Sequence, residues 1–174
     1  AAFALNGFSV DGPQWVMAAL ANDSSVIDAS LKRLAEAFNA ELSAEEQQYR
    51  IVIGQESAGG RTWTTMKAAG LPFGVTWTYD QGYLVAASDR GSAERAIATR
   101  NGGSPLVWSP AFLAQLPSSA GMHPSAFAWL NTRGALGIFS ALAPNPALTK
   151  LLAGREAVLV VFDGKADQIH AASR

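Results

Sequence analysis

The chain has 174 residues, of which 49% are hydrophobic and only 16% charged, and its net charge is −1 at pH 7, whereas globular domains usually carry about 25% charged residues. It is too apolar for a disordered chain and too neutral for electrostatic capture of nucleic acid or an anionic membrane, so no nucleic-acid partner is expected. The absence of cysteine excludes disulfides, thiolate metal sites and cysteine nucleophiles.

From the start of the chain, Phe3-Ala4-Leu5-Asn6-Gly7 and Trp15 to Leu20 read as two strands of a hairpin that stops at Ala21-Asn22-Asp23-Ser24. Asp11 and Pro13 could instead open a helix through Trp15, but the same hairpin unit recurs downstream and favours a strand. Ile27, Leu31, Leu34, Phe38 and Leu42 then repeat at helical spacing, with Lys32, Arg33 and Glu36 mostly on the other side. This predicts a helix over Ser24 to Glu41 with Asp23 or Ser24 as its cap. Asn22-Asp23-Ser24 also matches a glycosylation sequon, though the helix cap accounts for it. Ser43 with Glu45-Glu46 has the form of a capping box, but the next strand follows too closely, so a solvated turn is expected.

Four strand-like runs follow: Tyr49 to Glu56, Arg61 to Ala68, Val75 to Tyr79 and Tyr83 to Ala87. Turns are expected at Ser57-Ala58-Gly59-Gly60, near Gly70-Leu71-Pro72 and at Asp80-Gln81-Gly82, giving an antiparallel meander. Centred there, the turns set Trp63 opposite Trp77 and Trp77 opposite Val85, with Val75, Tyr79 and Tyr83 on the same face. The other face would carry Thr62, Thr64, Thr76, Thr78, Leu84 and Ala86.

Ser88 or Asp89 caps a second helix through Ala93, Ile97 and Ala98, which Asn101-Gly102 stops. Ser109-Pro110 opens a short turn ended by Pro117, and Ser125 to Thr132 reads as a buried strand. Gly134 to Ala143 is expected to be a helix, and Asn145-Pro146 starts a short one closed by Gly154. The last hairpin runs from Ala157 to Ala172, with its turn at Asp163-Gly164. Residues 101–132 carry no Asp, Glu, Lys or Arg. Four prolines interrupt them, so they do not form a bilayer span, and nothing else reads as a span or a signal peptide.

The pattern is α+β: a mostly antiparallel sheet built from repeated β-β-α units, with the helices packed on one face. It forms a single domain, or two similar halves of about 1–70 and 71–174. The chain opens without Met and closes where a third helix would begin, which suggests a fragment of a longer protein.

Several segments are familiar: Phe3-Ala4-Leu5 with Gly7; Pro13-Gln14-Trp15-Val16; Asn22-Asp23 before a helix; Tyr83-Leu84-Val85-Ala86-Ala87-Ser88; His123-Pro124-Ser125-Ala126-Phe127-Ala128-Trp129; and Ile169-His170-Ala171-Ala172-Ser173-Arg174. In these the chain resembles a bacterial envelope-type family catalogued only as a domain of unknown function. The resemblance covers most of the chain and implies a longer N-terminal part, often with a membrane anchor, and an extracytoplasmic body. It brings no catalytic residues.

The residues themselves assemble no reaction centre. His123 precedes Pro124 in the charge-free segment, and His170 is expected to be solvated on the outer face of the last hairpin. Neither sits beside a nucleophile and an orienting acid in sequence. There is no Gly-x-Ser-x-Gly elbow, no phosphate-binding glycine loop and no metal-ligand spacing, so neither cofactor nor metal is expected. Asp80 and Asp163 fit hairpin turns better than a cation site.

The aromatic set is the exception. Trp63, Trp77, Tyr79 and Tyr83 pack as core beneath the helices, or else line a groove for a small apolar or glycan ligand, which Trp108 and Trp129 would extend. Two functional expectations follow. One is a non-catalytic extracytoplasmic binding or scaffolding domain whose partner is another protein or the missing N-terminal part of the chain. The other is a carrier on the aromatic face. A hydrolase is the least favoured.

Overall fold

The computed structural model describes residues 1–9, 12–71, 73–116, 126–132, 150, 157–164 and 169–173. The chain is α+β and divides into two compact units, Ala1–Gly103 and Ser104–Arg174.

The first unit is a six-stranded antiparallel sheet ordered β1-β2-β6-β5-β4-β3. Its strands are β1 (Ala2–Ser9), β2 (Gly12–Leu20), β3 (Ile51–Ala58), β4 (Arg61–Ala68), β5 (Gly74–Asp80) and β6 (Tyr83–Ala87). Trp15 to Leu20 is therefore strand rather than helix. The pairing of β2 with β6, from Val16↔Ala87 to Leu20↔Tyr83, joins the first hairpin to the meander. The meander thus continues across residue 70, where β4 pairs with β5.

Helix α1 (Ser24–Glu41) has the expected bounds and is capped by Asp23, whose Oδ1 accepts from the N–H groups of Ser25 at 2.9 Å and Val26 at 3.3 Å. Helix α2 (Arg90–Arg100) is capped by Asp89, which accepts from Ser92 N–H at 2.8 Å. Each cap satisfies amides that the first helical turn leaves without carbonyl partners. Ser43 and Glu46 do form the expected exposed turn, with Ser43 Oγ donating to Glu46 Oε2 at 2.7 Å. Tyr49 lies in a short 3₁₀ turn, Gln47–Tyr49, so β3 starts later than expected.

The register differs from expectation by one residue at each later pairing of the meander. Thr64, not Trp63, pairs with Trp77, and Trp77 pairs with Ala86, not Val85. The cause at the β5–β6 turn is a two-residue loop: Asp80 pairs with Tyr83, while Gln81 and Gly82 take φ of 47° and 82°. That is the geometry of a primed hairpin turn, whose twist matches the strands it joins. A one-residue slip sends every side chain to the other face. Trp77, Val75 and Tyr79 therefore share a face with Thr64 and Leu84, and Trp63 shares the opposite face with Thr78, Tyr83 and Val85.

The two long helices consequently cover opposite faces of the sheet rather than one. Asp28 of α1 reaches Trp77 and Tyr79. Ala93 and Ile97 of α2 form a core with Trp63, Val85 and Ala87 on the other side. Asn39 anchors the end of α1 to β3 by bracketing Ile51, accepting from its N–H at 2.7 Å and donating to its carbonyl at 2.8 Å. The hairpin–helix unit occurs as β1-β2-α1 and β5-β6-α2, but with the helices on different faces the two are not copies of one arrangement.

In the second unit, β7 (Ala126–Asn131), β8 (Ala157–Gly164) and β9 (Ile169–Ser173) form an antiparallel sheet ordered β7-β8-β9. Helix α3 (Pro110–Leu113) starts with proline in its first turn, as expected. Its Phe112 packs with Leu159 and Val161, with Leu106 and Trp129 beside them. β7 is not a buried strand, since Phe127 and Leu130 are exposed. Asp163 and Gly164 do not form the last turn, because they pair with His170 and Ile169. The helices expected between residues 134 and 154 fall outside the described residues, apart from Lys150.

Two stability predictions follow. At Gly82, a Cβ would meet nothing within 4 Å, so Gly82→Ala should cost about 1–2 kcal/mol through the left-handed backbone alone, measured by urea unfolding. Asp89→Ala should cost about 1 kcal/mol. Burial raises the Asp89 carboxyl, but the Ser92 hydroxyl and N–H, the Ser88 hydroxyl and the charge of Arg95 together hold it below 3.8. A depressed carboxyl stabilises the fold above its ordinary value and ceases to as pH falls through the folded one. The gap between wild type and Asp89→Ala should therefore be full at neutral pH and close on acidification below about pH 4.

Candidate functional site

The aromatic residues of the first unit do not share one face of the sheet. Trp63 and Trp77 are 1% and 2% exposed and lie on opposite faces of the sheet. Trp63 packs against α2, donates from Nε1 to the Ala58 carbonyl at 3.2 Å, and lies under the Arg90 guanidinium at 5.3 Å. Arg90 is held in turn by Glu56 at 3.1 Å and Glu94 at 2.7 Å. Tyr83 is exposed, and the Arg100 guanidinium stacks 4.6 Å from its ring centre.

Arg100 and Arg61 converge on the buried Asp80: Arg61 donates to Oδ1 at 2.9 Å and 3.1 Å, and Arg100 to the Asp80 carbonyl at 3.2 Å. This cluster ties β4, β5 and the end of α2 together around a carboxylate that would be costly to bury unpaired.

Trp108 and Trp129 belong to the second unit. Trp108 is exposed, while Trp129 is half-buried, 6.5 Å edge-on from Phe112, with an indole N–H that finds no partner among the described residues. His123 lies outside the described residues, as does the side chain of His170.

Trp77 and Tyr79 are the part of the set that builds a site. Trp77 Nε1 donates to Asp28 Oδ1 at 3.0 Å and the Tyr79 hydroxyl donates to the same oxygen at 2.7 Å. Two donors on one oxygen fix the carboxylate and leave Oδ2 without a hydrogen bond among the described residues. Burial, the hydrogen bond to Asp28 and its negative charge, in that order, push the Tyr79 phenol well above its ordinary value.

Beside Asp28 lies a cavity of about 170 Å3 between α1 and the sheet. Lys32 borders it on the α1 side, Ile53, Gln55 and Thr64 border it from β3 and β4, and Trp77 forms part of its wall. Gln55 is exposed, which opens the cavity to solvent at the β3 edge, and its Nε2 donates to Thr64 Oγ1 at 3.2 Å.

Asp28 was not singled out in the sequence. It sits beside Ile27 at helical spacing from Leu31 and Ala35, and a lone acid on the apolar side of a helix is the one local signal that could have marked it. Among the described residues no group of three or more His, Asp or Glu could hold a metal ion, and no helix is long and apolar enough to cross a membrane.

Compared with known proteins, the chain matches no family model, no curated protein and no solved structure.

Tyr79→Phe removes one of the two bonds that hold Asp28 and should cost about 1–2 kcal/mol at neutral pH. A phenol raised in the folded state stabilises the fold below its unfolded value and ceases to as pH rises toward the folded one. The deficit of Tyr79→Phe relative to wild type in urea unfolding should therefore be constant up to about pH 10 and shrink above it.

Proposed function

We propose that the chain is a non-catalytic binding or scaffolding domain of an extracytoplasmic bacterial protein, and that it docks a protein partner through β1 and β2. One observation carries this reading. β1 is an edge strand without charge or proline, and it presents Phe3 at 67% and Leu5 at 46% exposure. Edge strands are ordinarily blunted by charge, proline or cover, and this one has neither a charge nor a proline.

Register places Phe3 beside Met17 and Leu5 beside Trp15, and the Phe3 and Trp15 rings stack at 6.1 Å. This apolar strip shares the sheet face that carries α1, but α1 lies over β3 to β5. Such a strip suits an added strand, with backbone bonds supplying affinity and alternate side chains supplying selectivity. The resemblance noted in the sequence supports an extracytoplasmic setting. Small-ligand carriage is a second reading, favoured by the cavity beside Asp28. The aromatic sheet face gives it little support, because Trp63 and Trp77 are buried on opposite sides.

Native mass spectrometry of the full-length protein, gently purified from its own host, tests the docking reading. The wild type should carry a partner protein that is lost on denaturation and missing from the Phe3→Ser, Leu5→Ser double variant. The variant's urea midpoint should stay close to that of wild type, since both side chains are exposed. A bare single chain in both proteins would sink the proposal.

A further inference from the structure

We infer that the cavity beneath α1 is a binding site for a small zwitterion of amino-acid size, with its ammonium on Asp28 and its carboxylate on Lys32. The inference rests on the small-ligand reading and not on the β1 surface.

The charges are arranged for such a ligand. Asp28 and Lys32 stand one turn apart on α1 and border the same cavity, yet they form no ion pair with each other. Among the described residues Lys32 pairs with Glu36, at 3.9 Å on the exposed surface, where such pairs contribute little. Asp28 cannot turn away, because Trp77 and Tyr79 hold its Oδ1. Its Oδ2 is the remaining acceptor on a half-buried carboxylate, and a charged donor makes the stronger, charge-assisted bond to it. A ligand with both charges would complete two half-made ion pairs at once.

The remaining walls narrow the class. At about 170 Å3, the cavity is close in size to the roughly 150 Å3 cavity that holds a benzene-sized molecule, which suits a ligand of a few non-hydrogen atoms. Gln55 spends one amide hydrogen on Thr64, leaving its carbonyl oxygen and its other N–H for a ligand. A sugar would call for an open ring to stack on, and Trp77 is 2% exposed. A purely apolar ligand would strip water from Asp28 without replacing it. A simple anion would meet the Asp28 carboxylate.

The test uses the whole chain labelled with ¹⁵N and follows the Trp77 indole N–H, which reports directly on Asp28. Glycine, L-alanine and L-serine are the probes, with ethylamine, acetate and glucose as comparisons. At least one amino acid should shift the Trp77 signal saturably in the millimolar range, and ethylamine or acetate should need about tenfold more. Lys32→Gln lies on the exposed helix surface and should keep the fold while weakening binding about tenfold. Asp28→Asn should abolish binding; if that variant unfolds, Lys32→Gln still decides. No shift with any amino acid, or a shift indifferent to Lys32→Gln, overturns the inference. An equal response to glucose or to ethylamine alone keeps a ligand site there but overturns the zwitterion.

Discussion

The pairing of Asp80 with Tyr83 across Gln81-Gly82 is the constraint on which the first unit depends. It fixes which face every residue of β5 and β6 occupies, and through β2↔β6 it fixes the facing of the first hairpin. Shifted by one residue, Val85 and Ala87 would leave the face on which they pack with Trp63 and α2, while the β4–β5 register, with Thr64 rather than Trp63 opposite Trp77, keeps the two indoles on opposite faces. In the register adopted, each indole has its own helix and its own polar partner: the Ala58 carbonyl for Trp63 and the Asp28 carboxylate for Trp77. The turn is held from outside by the side chains of Asp80, Arg61 and Arg100, so the same residues that begin the loop also lock it to β4 and α2.

Four aspartates mark the joints of this unit. Asp23 and Asp89 cap the two helices, Asp80 gathers two arginines at the end of β5, and Asp28 receives two aromatic donors beneath α1. Asp80 and Asp89 accept on both carboxylate oxygens, and Asp23 accepts three bonds on Oδ1 at the exposed start of α1. Asp28 differs in that it is held by aromatic donors and borders a cavity. Architecture and a capacity to bind therefore share a single side chain, as when binding groups are placed on rigid elements.

The local signals in the sequence were strong where the chain is punctuated. Asp23 and Asp89 before periodic apolar runs marked the start of both helices, and Asn101-Gly102 marked the end of α2. Strand identity was also legible, because Thr, Val, Trp and Tyr alternate through β4 and β5. Facing was not, because it depends on whether a loop holds two residues or three, and Asp80-Gln81-Gly82 reads equally well as either. The grouping of the aromatic residues depended on it: sorted by period two from a turn one residue off, they were given the wrong cross-strand partners. Asp28 was hidden for a different reason. Its meaning comes from Trp77 and Tyr79, which lie far along the chain, and only the packing of α1 on the sheet brings the three together.

The pairing of β2 with β6 inside the sheet has a consequence for how the chain acquires its structure. β3 to β6 close through short hairpin loops, whereas β2 must wait for a partner that follows a helix and three strands. Contacts between distant segments bear the larger loop-closure entropy and form late. During synthesis the β1-β2 hairpin and α1 emerge first and stand without their sheet until β6 has left the ribosome. Through that interval Trp15, Met17 and Phe3 are uncovered on a hairpin too small to be stable alone. The fold is thus completed from its C-terminal side inward, with the strands made first docking last.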